Sequence, residues 1–130
     1  MLRNLATTVG LLIGAAASQT EPVPESRIIT LDMFMVDYQF IPDHLSFQHD
    51  LHYRLHLENH GKETHEFTAP TFFASAKLDN PGVLKREHTE LVVQPGEVKD
   101  VFLTAPRPGT YDLRCADHDW HGMVGGITVE

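Results

Sequence analysis

From Arg27 onward the chain alternates apolar and polar residues in short runs. Ile29, Leu31, Met33 and Met35 fall on one face of the first run. Leu51, Tyr53, Leu55 and Leu57 fall on one face of another, with His52, Arg54, His56 and Glu58 between them. A period of two marks a half-buried strand, because successive side chains of extended backbone point to opposite faces. Further strand candidates cover residues 89–93, 98–104, 110–115 and 126–129. Turn residues separate the runs: Pro42-Asp43, Asn59-His60-Gly61, Pro95-Gly96 and Pro108-Gly109. Many short strands joined by Gly and Pro turns predict an antiparallel β-sandwich or barrel. One stretch differs. Phe72, Phe73 and Ala76 fit a short helical turn near residues 71–76, which Asn80-Pro81-Gly82 would end.

The start of the chain has another pattern. Arg3, an apolar run from Val9 through Ala17 and small residues at Ala15, Ala16 and Ala17 read as a secretory signal over residues 1–17. The run is too short to span a bilayer, and no Cys follows it to carry a lipid. Residues 18–26 are polar with Pro22 and Pro24 and read as a flexible leader; residues 27–130 are the expected single domain. Export implies a periplasmic location, with no membrane insertion of the mature domain.

The net charge is −8, one unit more negative once Arg3 is removed. Nucleic acid needs a basic surface, so it is excluded as a partner. A negative surface keeps a protein soluble and steers positively charged partners.

There is one cysteine, Cys115, so an exported form cannot make an internal disulfide. An unpaired thiol there is an inert core group, half of an intermolecular bridge, a nucleophile or a metal ligand. Its neighbours read Cys115-Ala116-Asp117-His118-Asp119-Trp120-His121-Gly122-Met123, a loop between two strand candidates. Thiolate, imidazole and thioether within one loop suit copper: soft sulfur ligands select Cu(I), and one Cys, two His and a weak axial Met make a blue-copper electron-transfer site. A structural zinc site would have paired Cys or His at both ends, and a Cys nucleophile needs a base and an oxyanion hole. The second His must come from elsewhere. His65 is the candidate, following the Asn59-His60-Gly61 turn and preceding Phe67; His60 is its rival. His44, His49, His52, His56, His88 and His121 read as surface residues, although nine histidines leave room for a secondary copper site.

These residues carry a resemblance. Cys115, His118 and Met123 fit the Cys-x2-His-x4-Met ligand loop of cupredoxins of the plastocyanin and pseudoazurin group. Tyr38-Gln39-Phe40-Ile41-Pro42 resembles the group's aromatic-x-Phe-x-Pro segment. Leu57 to Gly61, followed by His65-Glu66-Phe67, resembles the turn before its first ligand His; Gln94 to Glu97 and Pro108 to Tyr111 resemble later turns. The likeness covers residues 27–130. It implies a Greek-key sandwich of about eight strands, one copper ion held by His65, Cys115, His118 and Met123, and one-electron transfer with a cytochrome or copper oxidoreductase by a monomer that is not an enzyme. The pattern departs from the group at four places. Asp117 stands where many relatives have Pro, Glu66 where plastocyanin has Asn, Gln48-His49-Asp50 where Gly is usual, and Asp117, Asp119 and Trp120 where small apolar residues surround the ligand His. A copper-binding or copper-tolerance protein is the alternative reading.

Overall fold

The computed structural model describes residues 9–130. Part of the expected signal segment, residues 1–8, lies outside the described residues, and residues 9–24 carry no regular element. No helix among the described residues is long and apolar enough to cross a membrane.

The six alternating runs form strands where the pattern places them, and four short strands that the pattern does not mark join them, ten among the described residues against the eight or so expected. In order these are β1 (Ile28–Val36), β2 (Gln39–Ile41), β3 (His44–Phe47), β4 (His52–Asn59), β5 (His65–Thr68), the helix α1 (Pro70–Ser75), β6 (Lys77–Leu78), β7 (Glu90–Val93), β8 (Val98–Thr104), β9 (Gly109–Arg114) and β10 (Val124–Val129). One sheet has the order β2-β1-β4-β8-β6 and the other β3-β10-β9-β5-β7. Most neighbours are antiparallel, as expected for a sandwich, but β1 pairs with β4 in parallel and β3 with β10 likewise. Alternation sets which face of a strand is buried and is silent about its neighbour, so these two pairings could not be read from period alone.

β4 buries every second residue: Tyr53, Leu55, Leu57 and Asn59 face inward, while His52, Arg54, His56 and Glu58 are partly exposed. In β1 only Met33 and Met35 are fully buried; Ile29, nearer the open end of the strand, is 41% exposed. Phe47, Phe67, Leu91, Leu113 and Ile127 of the second sheet close the core, and Phe40 and Phe67 meet edge to face at 6.2 Å. Each such side chain taken out of water contributes about 1.5–3 kcal/mol. The helix begins with Pro70 in its first turn, where a missing N–H costs nothing, and buries Phe72 and Phe73 against the same core.

The topology gathers three loops at one end of the sandwich. β1 ends at Val36 beside the turn after β4, where the His60 N–H donates to the Met35 carbonyl. β9 ends at Arg114, opposite Val124 of β10 and Thr68 of β5. Residues 37–38, 59–65 and 115–123 therefore converge.

Candidate metal centre

The turn between β4 and β5 is built on a buried asparagine. Asn59 Nδ2 donates to the carbonyls of Glu63 and Val93, each at 2.8 Å, and its Oδ1 accepts the Gly61 N–H at 2.8 Å. This delivers His65 as the first residue of β5, fully buried. Asp37 fixes its ring. Its Oδ1 accepts from His65 Nε2 at 2.6 Å, and its carboxylate also accepts the N–H groups of Lys62 at 2.9 Å and Glu63 at 3.3 Å. The Lys62 amide, followed by the bond from His65, holds the Asp37 carboxyl below its usual range. With Nε2–H committed to a carboxylate, the Nδ1 lone pair is free, the arrangement that orients metal-ligating histidines. Gly61 makes room for this contact: a Cβ there would lie 3.0 Å from His65 Nε2 and closer still to Asp37 Oδ1.

The second loop folds on itself. The Cys115 N–H donates to the Met123 carbonyl at 3.0 Å, His118 N–H to the Cys115 carbonyl at 3.1 Å, and Met123 N–H to the His118 carbonyl at 3.3 Å. Gly122 closes the loop with φ +84°, a left-handed conformation that glycine adopts without strain. Cys115 and Met123 are fully buried.

The two loops meet at the thiol. Cys115 Sγ lies 3.9 Å from His65 Nδ1 and 3.5 Å from His118 Nδ1. Donor atoms of these three residues all lie within 4.8 Å of one another. A metal with bonds of about 2.0–2.1 Å to nitrogen and about 2.3 Å to sulfur, at tetrahedral to trigonal angles, needs sulfur and nitrogen roughly 3.6–3.8 Å apart. The two sulfur–nitrogen separations lie on either side of that value, so the thiol and each imidazole nitrogen are spaced as ligands of one ion. Together with the buried thioether residue Met123 on the same loop, the residue set matches a type 1 copper site. His60, the rival of His65, points elsewhere: its Nε2 meets Glu58 at 3.2 Å and its ring packs on Phe34.

The surroundings of the sulfur are unusual. The Glu66 N–H donates to Sγ at 3.3 Å, and the Cys115 S–H donates to Glu66 Oε2 at 3.0 Å. Glu66 is buried, which raises its pKa, with Asp117 nearby adding to the effect. Burial first, and then the Glu66 carboxyl, push the Cys115 thiol up to about 12. Metal binding must therefore displace a tightly held proton.

On the solvent side, His118 is largely covered. Its Nε2 faces Glu63 at 3.6 Å and its ring lies 5.1 Å from Tyr38. His121 is exposed, as its place in the loop predicts, and stacks on Tyr38 at 4.2 Å with 15° between planes. Asp37 escaped the sequence reading, because nothing in its local pattern marks a carboxylate whose partner lies 28 residues onward.

The family model described as cupredoxin-like domain matches residues 5–129. Among solved structures the chain is similar to auracyanin B, at 20% identity over 85% of this chain and 93% of that one, with a TM-score of 0.61. It is similar to dithionite-reduced auracyanin from the photosynthetic bacterium Roseiflexus castenholzii, at 15% identity over 78% and 96%, with a TM-score of 0.59. It is also similar to auracyanin A of Chloroflexus aurantiacus, at 16% identity over 79% and 99%, with a TM-score of 0.59. These structures share the fold. A family match running from residue 5 to residue 129 settles the membership: the chain belongs to the cupredoxin-like domain family.

Proposed function

We propose that this protein holds one copper ion through His65 Nδ1, Cys115 Sγ, His118 Nδ1 and the Met123 thioether, and carries single electrons between redox proteins. The observation that carries the reading is the convergence of two imidazole nitrogens, at 3.5 and 3.9 Å, on the only thiol of the chain. Bound copper supplies a one-electron Cu(I)/Cu(II) couple, and this ligand set serves both oxidation states. The chain contributes a rigid frame. Asp37 aims His65, the 115–123 hydrogen bonds hold Cys115 and His118 in one turn, and burial of Cys115, His65 and Met123 keeps water from the site. The auracyanin A structure, of similar fold, is described as that of a "blue" copper protein, which supports the same reading.

The reading includes export: residues 1–17 direct the chain to the periplasm and are removed, residues 18–26 form a leader, and residues 27–130 work there as a monomer with a cytochrome or copper oxidoreductase as partner. The test is copper loading of residues 18–130 followed by voltammetry. One copper per chain with a reversible one-electron wave is expected. Several tightly bound coppers, lost on replacing His52 and His56, would favour copper handling instead; no bound copper would overturn both.

A further inference from the structure

β4 and the turn after it carry a second set of donors that the copper site does not use. The run His56-Leu57-Glu58-Asn59-His60 places one at every second residue. Side chains of a strand alternate between faces, so His56 and Glu58 stand together on the outer face of the first sheet, opposite the buried Leu57 and Asn59. His60, one residue past the end of the strand, turns back onto them: its Nε2 lies 3.2 Å from Glu58 Oε2, and its ring packs on Phe34 at 5.0 Å.

The hydrogen bonding of His56 calls for a cation. Asp100, its partner on β8, places Oδ1 2.6 Å from His56 Nδ1. A carboxylate only accepts, so Nδ1 carries the hydrogen. In the neutral imidazole Nε2 is then a bare lone pair, and it faces Glu58 Oε1 at 3.3 Å. Two acceptors that close need something positive to bind them together: a proton on Nε2, or a metal ion held by both. The spacing suits a metal. Bonds of about 2.0–2.1 Å at tetrahedral angles put two ligand atoms roughly 3.3 Å apart, and the contacts of Glu58 with His56 and His60 are 3.3 and 3.2 Å. Asp100 also does for His56 what Asp37 does for His65: it holds one ring nitrogen and so fixes the other as the ligand.

Charge favours a cation as well. Asp32, beside His56 on β1, Asp100 and Glu58 bring three negative charges, against one positive from Arg54, whose Nη2 is paired with Asp100 at 3.1 Å. The His56 and Glu58 side chains are only 18% and 28% exposed, so water screens them in part, while His60, at 56%, has room to swing its nitrogen in beside them.

We propose that His56 Nε2, the Glu58 carboxylate and His60 Nε2 bind one divalent ion of borderline softness, such as zinc, at a site that shares no ligand with the copper. Two imidazoles and a carboxylate are a zinc donor set. Without sulfur the set has little hold on Cu(I), so it is not a second one-electron centre. An ion there ties the end of β4 to the turn whose Lys62 and Glu63 amides hold Asp37.

The test is calorimetric titration of the Cu(I)-loaded full chain with zinc at about pH 8, above the ordinary imidazole range, with the histidine ring signals followed by NMR. One zinc ion per chain is expected, shifting the signals of His56 and His60 and leaving those of His44 and His49 in place. Cys115→Ser, titrated without copper, should bind the same ion. His56→Gln, Glu58→Gln and His60→Gln should each weaken binding at least about tenfold, and Asp100→Asn, which keeps all three donors but frees the His56 ring, about tenfold. His52→Gln, on the same face but outside the set, should change nothing. No zinc bound to the native chain would assign the His56–Glu58 contact to a proton and overturn the site. Zinc that survives all three donor substitutions would overturn it too.

Discussion

Copper should bind this protein about tenfold more tightly for each unit of pH, and should go on doing so beyond the point where an ordinary thiol stops responding. The perturbation is pH alone. The Cys115 thiol sits at about 12, raised by burial and by the Glu66 carboxyl at 3.0 Å. Only the thiolate ligates, so at pH 7 about one site in 10⁵ is already deprotonated, and the metal must displace the proton from the rest. Each unit of pH makes that displacement about tenfold more favourable, or about 1.4 kcal/mol. A free thiol, with a pKa of about 8.5, would flatten above that pH; this one should climb through it with slope one. The assay is a competition titration against a chelator of known pH dependence, from about pH 7.5, above the ordinary imidazole range, to about pH 10. Glu66→Gln removes the charge that helps hold the proton, so it should bring the plateau to lower pH and tighten binding at pH 7. A plateau near pH 8.5 would refute the buried, acid-paired thiol. A flat profile would show that Glu66 keeps the proton inside the site, contradicting release to solvent.

Other consequences can be measured separately. Asp37→Ala frees the His65 ring and two turn amides; copper affinity should fall about 10–100-fold, read by the same competition titration. Gly61→Ala forces a Cβ against Asp37 and His65 and should cost about 1–3 kcal/mol in urea unfolding of the metal-free protein, whereas Gly82→Ala, with nothing within 4 Å, should stay within about 0.5 kcal/mol. Phe67→Ala, which empties a fully buried position between the sheets, should cost about 3–5 kcal/mol by the same measurement.

The ease of reading this chain tracked how local each feature is. β4 was legible because Leu55 and Leu57 alternate with His56 and Glu58 for the full length of the strand, and the helix because Phe72 and Phe73 fall on one side of a short turn, although it ends at Ser75, with β6 following, rather than at the expected Asn80-Pro81-Gly82 stop. The 115–123 loop was legible because three donor types fall within one turn. His65 was a candidate by its place after the turn, but its link to the loop rested on resemblance, since its meeting with Cys115 joins residues 50 apart in the chain. Glu66 was visible as a departure from plastocyanin, but its carboxyl could equally have faced water; only the packing of β5 against the Cys115 loop turns it onto the sulfur. Asp37 and the His121–Tyr38 stack were hidden for the same reason. The parallel pairings of β1 with β4 and β3 with β10 are set by the long connections between them, which no periodicity encodes.

The most direct test of the central claim is the visible absorption spectrum of the protein loaded with Cu(II), recorded beside that of Cys115→Ser. An intense thiolate-to-copper charge-transfer band in the native chain that vanishes in the variant is the expected result, because the thiolate is the only sulfur anion that could produce it. Stoichiometric copper binding with no such band, or a band that persists without Cys115, would contradict the site.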